Sequence, residues 1–559
     1  MEGGRHTGDE PPHVATLAPG GRHARAPEAP EAPEAPLPSP DRPYRGPRGR
    51  HQLDPGPRDE PDDRPTELIR DDPTDLIPRQ DSGRHQLFTP VHGPARHRRA
   101  VPPTAVAAAV GALVGACVFA VVGRAMVDDA YITLAYARTL GLYGEWGVYP
   151  GVPANTATSP LNVLVLGGVT AIVRDAVTAA GVLLTVTYAL LAACLTRIGV
   201  RIGVPAWRAP AAGLVLLGTS PLLLSTVGLE SALGLALVSF LAERVSARAP
   251  WAAGVLAGLL VLTRPDLGAV GLVAVVACGR AWWRAALGAT AVALPWLAWA
   301  WWALGSAIPD TLLVKSGSHW GPWTYANGVG LWWEKFPLAT AVIVLPVLAG
   351  LLALPYWLAR PDLRRPGAVL GVGAVAHAGV MVLLDVPPFH WYYAPAAGGL
   401  TLLAALTCAR VRWPVAAAVP VVALAAVAAG AVVTSGVPPL TSNWATAAQY
   451  ERIADQLPRG STIESPGEVG TLAYYCRCRV LDGLADRGSI AAAIRVKADA
   501  ATGLGGALLR LNYLHLEPVR PVPRDMRMVT TVVHGGPAPM ETAWGPARTW
   551  ALAPVPPPR

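Results

Sequence analysis

Residues 97–138 read HRRAVPPTAVAAAVGALVGACVFAVVGRAMVDDAYITLAYAR. Arg98 and Arg99 stand before an uncharged apolar run of about twenty residues, the length a bilayer core requires. A basic flank holds its side of a span in the cytoplasm. The run is therefore the first transmembrane helix, with the N-terminus cytoplasmic and an external loop, 126–159, beginning at two adjacent carboxylates, Asp128 and Asp129. Two like charges side by side at a membrane surface repel, and partial desolvation raises at least one pKa.

The rest of the chain agrees with a membrane protein. Of its 559 residues 52% are hydrophobic and only 15% charged, with a mean hydropathy of +0.35. That is too apolar and too charge-poor for an ordinary soluble protein. The net charge of +8 does not point to nucleic acid, because the arginines fall in short clusters between apolar runs, where they set membrane orientation. Six cysteines make no disulfide scaffold. Cys476 and Cys478, in CRC, are too close for the usual zinc spacing, which leaves a redox-active or disulfide-linked pair or two inert thiols.

Residues 1–100 contain APEAPEAPEAP and few bulky apolar side chains, so they cannot bury enough surface to offset ordering entropy and read as a disordered Pro-rich cytoplasmic tail. No short apolar core followed by a small-residue cleavage site stands near Met1, so a signal peptide is not expected. After the first span, apolar runs near 175–196, 209–227, 229–243, 251–263, 266–278, 285–304, 336–357, 367–384, 393–409 and 414–434 bring the expected count to about eleven. With alternating topology the cytoplasmic loops hold Arg197, Arg201 and Arg208; Arg244 and Arg248; Arg280 and Arg284; Arg360, Arg364 and Arg365; and Arg410 and Arg412. The opposite loops are poor in Arg and Lys. The pairs Trp282–Trp283, Trp301–Trp302 and Trp332–Trp333 fall near span ends, as an aromatic belt does. The expected organisation is a transmembrane domain over 101–434 and an extracytoplasmic domain over 435–559. There QYERIADQLPRGSTI reads as an amphipathic helix followed by a strand, and GTLAYYCRCRVLDGLAD as a small α/β unit.

Polar groups gather on the outward side: Tyr131 and the Asp128–Asp129 pair; Asn155, Thr158 and Ser159 in NTATSPLN; Glu230 in VGLESALG; Arg264 and Asp266 in LTRPDLG; Lys315 and His319 in PDTLLVKSGSHW; His390, Tyr392 and Tyr393 in PPFHWYYAP. Ionisable groups at membrane depth are costly and default to functional hypotheses. Each alone also reads as a snorkelling or loop-satisfying residue, and the aspartates as helix-start residues. Together, a carboxylate base and cationic groups opening to lipid suit the reaction of a lipid-phosphate donor with an external hydroxyl. In it the carboxylate takes the acceptor proton, and Lys315, Arg264 or His390 stabilises the departing phosphate.

These motifs, in this order, resemble the GT-C membrane glycosyltransferases over about residues 103–530. VDDAYITLAYARTL resembles the family's acidic first-loop motif, NTATSPLNVLVLG the return of that loop to the membrane, and GEVGTLAYYCRCRVLDGLAD the start of its C-terminal domain; VGLESALGLAL, LTRPDLG, PDTLLVKSG and HWYYAP match further motifs. The nearest branch is the actinobacterial enzymes that use decaprenyl-phosphate sugars, above all the terminal arabinofuranosyltransferases. The resemblance implies inverting transfer of a sugar, arabinofuranose or mannose, from a polyprenyl-phosphate donor to a cell-envelope glycan at the outer face of the plasma membrane. It places Asp128 and Asp129 in the acidic motif, either of them the base and Asp128 the first choice, and Lys315 and His390 near the donor phosphate. Where related sequences often carry an FRYA pattern, this chain reads TLAYAR, which leaves open whether Tyr136 or Arg138 stands in. Some members use a divalent ion, and adjacent carboxylates suit Mg, Mn or Ca, although one pair is too few to establish a site.

Two other classes stay in view. A transporter or flippase for a lipid-linked sugar is expected to show internal repeats and charges buried in mid-span; no repeat is visible, and the ionisable groups gather at span ends. A noncatalytic envelope-assembly protein with the same fold is the other.

Overall fold

Backbone amides in hydrocarbon have no water to bond, so an uncharged apolar run must close its hydrogen bonds within itself, as a helix. The computed structural model of the protein describes residues 101–152, 154–316, 318–411, 435–465, 467–535 and 537–555. The tail over 1–100 and the expected last span at 414–434 lie outside these residues.

The apolar helices are α1 (Pro103–Val122), α3 (Pro160–Val173), α4 (Ala176–Arg201), α5 (Arg208–Gly218), α6 (Pro221–Leu224), α7 (Ser231–Ser246), α8 (Pro250–Thr263), α9 (Gly268–Ala277), α10 (Trp282–Ala303), α13 (Pro337–Ala359), α14 (Arg364–Gly367), α15 (Gly373–Leu383) and α16 (His390–Val411). Between them lie α2 (Asp128–Tyr143), α11 (Asp310–Lys315) and α12 (Gly328–Lys335). Among the described residues six helical segments are long and apolar enough to cross a membrane: α1, α4, Gly279–Ala303, α13, Arg364–Leu383 and α16. The protein is a multi-pass membrane protein.

Among the described residues the expectation of about eleven spans is met in part. The run at 209–227 is two helices, α5 and α6, parted before Pro221, whose missing N–H and fixed φ favour a new helix start. The runs at 229–243, 251–263 and 266–278 become α7, α8 and α9, each shorter than eighteen residues. Conversely, α3, which hydropathy reading left uncounted, is an apolar helix of 14 residues; at 1.5 Å per residue it is about 21 Å long, short of a hydrocarbon core of about 30 Å. Within 126–159, the stretch expected to be the first external loop, Asp128–Tyr143 form α2. Small residues let helices approach closely here: a Cβ on Gly254 of α8 would lie 2.2 Å from the Ala285 carbonyl oxygen of α10. Glu243, on α7, is fully buried and pairs with Arg201 of α4 at 2.5 Å and with its neighbour Arg244, so one of the arginines read from loop sidedness, Arg201, also ties two helices together.

After residue 435 the chain forms α17 (Ala447–Gln456), β1 (Thr462–Glu464), α18 (Gly470–Tyr475), β2 (Arg479–Leu481), α19 (Arg487–Ala500), α20 (Gly503–Asn512), β3 (Met526–Val532) and β4 (Arg548–Pro554). The helix and strand expected in QYERIADQLPRGSTI are present, with Thr446 and Gln449 closing a capping box on α17. The four strands pair in the order β2-β1-β3-β4. β1 runs parallel to β2, with Ile463 opposite Val480, and parallel to β3; β3 and β4 are antiparallel from Met526 opposite Pro554 to Val532 opposite Arg548. Parallel β1 and β2 require a crossover, and α18 lies within it. Cys476 and Cys478, just beyond α18, form a disulfide. One buried core joins Leu472 and Ala473 of α18 to Tyr131, Leu134 and Ala135 of α2, so the C-terminal sheet is packed onto the start of the membrane part through this short helix.

Candidate active site at the start of the second helix

Asp128 opens α2 and is 5% exposed. One carboxylate oxygen accepts the backbone N–H groups of Val469 at 3.0 Å and Gly470 at 2.8 Å, and the other accepts that of Thr471 at 2.7 Å. These are the orphan donors at the start of α18, where a carboxylate also opposes the positive end of the helix dipole. Gly470 is required at this contact, because a Cβ there would lie 2.0 Å from the Asp128 carbonyl oxygen. The Asp128 amide in turn donates to Asn443 Oδ1 at 3.2 Å. Ten residues along α2, Arg138 donates to the carbonyls of Tyr474 and Ala473 at the other end of α18 and stacks over the Tyr474 ring at 4.7 Å. α2 thus holds α18 by both poles.

Burial outweighs the Thr471 and Gly470 N–H groups, and with the neighbouring Asp129 charge it pushes the Asp128 carboxyl up to about 6. Glu468 lies close by. It accepts the Trp444 N–H at 2.9 and 3.2 Å and the Tyr450 hydroxyl, and burial followed by the Asp128 charge pushes it up to about 8.

Successive side chains on a helix point about 100° apart, and Asp129 faces a different neighbourhood. Its Oδ1 is 3.6 Å from Lys315 Nζ, and the two side chains keep 30% and 22% of their surface exposed. Lys315 ends α11 and sits 4.6 Å above the Phe389 ring. The Tyr392 hydroxyl is within electrostatic reach of Lys315, Arg264, Asp129 and Asp266, and the Arg264 guanidinium stacks over the Tyr392 ring at 5.0 Å. Arg264, between α8 and α9, spends its donors on Glu230 at 2.8 Å and on Asp266 at 3.0 and 3.1 Å. Asp266 is held in turn by His377 Nε2 at 2.6 Å. Arg264 is therefore fixed by two carboxylates, whereas Lys315 is a partly open ammonium beside a partly open carboxylate.

The remaining expected residues are placed elsewhere. Asn155 donates to the Ser306 carbonyl and hydroxyl, each at 2.9 Å, and Ser306 and Asp310 bind Arg487 at 2.7 and 3.1 Å; this buried knot joins the first loop to α11 and α19. Tyr136, one of the two residues open in TLAYAR, bonds Thr156 at 2.9 Å beside it. Thr158 is half-buried and Ser159 buried at the start of α3. Tyr131 packs between Tyr474 and Tyr475, each ring 5.6 Å away. His319 pairs with Asp385 at 2.7 Å on the surface, Tyr393 donates to the Tyr325 carbonyl at 2.8 Å, and His390 packs on Trp332 and Trp391 at 5.2 and 4.9 Å. Sequence reading brought Asp129, Lys315, Tyr392, Arg264 and Glu230 to one place but missed His377, Asn443 and Glu468. A histidine inside the apolar run of α15 was the available signal for His377; none marks Asn443.

The residues do not fit a divalent ion. Asp128 has committed both oxygens to N–H donors, an ammonium stands against Asp129, and among the described residues no three His, Cys, Asp or Glu side chains converge on one point.

No protein-family model and no curated protein matches the chain. It is similar to solved structures of ArnT. The crystal structure of ArnT from Cupriavidus metallidurans in the apo state aligns at 15% identity over 76% of this chain and 92% of that one, with a TM-score of 0.47; the same protein bound to undecaprenyl phosphate aligns at 15% identity over 80% and 97%, with a TM-score of 0.45. A cryo-EM structure of the arabinofuranosyltransferase AftD from Mycobacteria aligns at 17% identity over 76% of this chain but 35% of AftD, with a TM-score of 0.39. The likeness is one of overall fold.

Proposed function

We propose that the protein is an integral-membrane glycosyltransferase of the GT-C type. It transfers a sugar, arabinofuranose first and mannose second, from a polyprenyl-phosphate donor to a cell-envelope glycan, with the site and residues 435–559 on the outer face of the membrane. The observation that carries this reading is the Asp129–Lys315 pair: an accessible carboxylate and an accessible ammonium side by side, on a support of buried ion pairs.

In this reading Asp129, not Asp128, is the general base. An oxygen that already accepts backbone N–H groups is poorly placed to take a proton from substrate. Asp129 takes the acceptor hydroxyl proton while that oxygen bonds to the anomeric carbon from the face opposite the phosphate. The bond from the anomeric carbon to the phosphate oxygen breaks with its electron pair on the phosphate, and the anomeric configuration inverts. Lys315 stabilises the phosphate charge, with Tyr392 and Arg264 setting the ammonium's position.

The test is transfer of radiolabelled sugar from decaprenyl-phosphate arabinose, and separately from decaprenyl-phosphate mannose, to an oligosaccharide acceptor by the purified full chain, with Asp129→Asn and Asp128→Asn alongside. Transfer that Asp129→Asn abolishes supports the assignment. Transfer that survives in Asp129→Asn and is lost in a folded Asp128→Asn returns the base to Asp128, and no transfer from either donor overturns the donor class.

A further inference from the structure

Helix α20 turns a stripe of leucines outward. Leu504, Leu508 and Leu511 recur at i, i+4 and i+7, which places them on one stripe, and they are 77%, 57% and 54% exposed, followed by Leu514 at 64%. Leu509 packs inward beside Ile494 and Tyr513, and the exposed Arg510 donates to the backbone carbonyls of Ala498 and Ala501 at 3.3 and 2.9 Å. An apolar stripe of this size on a soluble surface marks an interaction site.

Its position identifies the medium. Trp301 Nε1, at the end of α10, donates to the Leu511 carbonyl at 2.7 Å, and the His515 ring packs on Trp301 and Trp302 at 4.3 and 4.9 Å. Asn512 binds the Ile308 N–H at 2.9 Å and the Ile308 carbonyl at 3.3 Å. The segment Gly279–Ala303 is apolar and long enough to cross a membrane, and Leu287, Leu294, Trp299 and Trp302 on it are all exposed. The leucine stripe therefore continues a lipid-facing surface at the tryptophan belt that marks the membrane interface.

We propose that α20 is an interfacial helix that inserts Leu504, Leu508, Leu511 and Leu514 into the lipid leaflet on the side of the C-terminal sheet. This anchors the chain to the bilayer beside the span end from which residues 304–315 lead to Lys315. Helices of this kind lie in the interface plane, sunk about 5–10 Å below the headgroup surface. The inference rests on the membrane-spanning character of α10 and stands whether or not the chain transfers sugar.

The experiment is collision-relaxation spectroscopy on the full chain in phosphatidylcholine–phosphatidylglycerol vesicles. Cys117, Cys194, Cys278 and Cys408 are replaced by Ala, and a nitroxide is attached at Leu508→Cys, at Leu504→Cys or, as a control on exposed α17, at Asp455→Cys. Expected is relaxation at 504 and 508 by apolar oxygen severalfold stronger than by a water-soluble nickel chelate, with the order reversed at 455. Labels at 504 and 508 that respond to nickel like 455 place the stripe in water; immobile labels reached by neither reagent place it against a second protein surface. Either result overturns the inference. A second measurement needs no substitution: a phospholipid carrying a photoreactive group near its headgroup, activated with the unaltered protein, is expected to label peptides covering 503–514 and spare those covering 447–456, and absence of label on 503–514 counts against insertion.

Discussion

Two carboxylates that are neighbours in the chain belong to two unlike regions. Around Asp128 everything is dry and paired: three backbone N–H groups, Asn443, and an arginine at the far pole of the helix it caps. Around Asp129 the ion pair is loose and reachable, and the tight contacts lie one layer behind it, in Glu230, Arg264, Asp266 and His377. A rigid, fully satisfied region next to a partly open one is how a reactive group is held still without being used up in holding itself. In the proposed function the adjacent pair divides its labour, Asp128 for architecture and Asp129 for chemistry.

Four outcomes would sharpen or break that contrast. The largest is kinetic: Asp129→Asn is expected to lower the transfer rate by about 10²–10⁴-fold, the usual worth of a general base, with an unchanged melting temperature, and comparable stability loss would erase the distinction. Next, Asp128→Ala is expected to cost about 2–4 kcal/mol of stability through the lost cap and three uncovered N–H groups, read as a lower melting temperature in lipid nanodiscs; a variant that melts like the parent refutes the architectural role. Third is pH. Glu468, at about 8 in the folded chain against an ordinary 4.5, keeps a proton that the unfolded chain loses, so its contribution is complete below pH 4.5 and is lost as pH rises through about 8. Asp128, at about 6 against 3.8, acts in the same direction lower on the scale. Glu468→Gln is expected to flatten the fall in melting temperature between pH 5 and 8, and a profile parallel to the parent's would count against this coupling. The smallest effect is Arg138→Met, expected to cost about 0.5–1 kcal/mol from the weakened negative pole of α18.

Much of this was legible before any coordinates, for definable reasons. Long apolar runs announce spans, because hydrocarbon leaves the backbone no alternative. Costly polar residues at span ends put Asp129, Lys315, Arg264, Glu230 and Tyr392 into one larger set, whose other members, among them Asn155, Thr158, Ser159, His319 and His390, lie elsewhere. Counting failed where helices were short: hydropathy fused α5 with α6 and passed over α3, since apolar content over a window does not register a break before Pro221 or an apolar helix that follows directly on a loop. The roles within DD were illegible because they depend on residues 469–471, more than three hundred positions away and paired through main-chain atoms that carry no side-chain signature. The capping reading of the aspartates was correct in kind for Asp128, but the helix it caps is α18. CRC gave no local sign to choose between thiols and the disulfide that forms.

The partner groups of Asp128 lie 341 residues downstream at the nearest. At a synthesis rate of about 5–20 residues per second, the start of α2 waits on the order of 20–70 s for the strand–helix crossover that completes it. During that interval the carboxylate has no N–H groups to receive, and the junction cannot dry. The Asp128 junction is therefore a late product of biogenesis: in a nascent chain that stops before Gly470 the start of α2 has no α18 to cap, so this contact is timed by the end of the chain and not by its insertion.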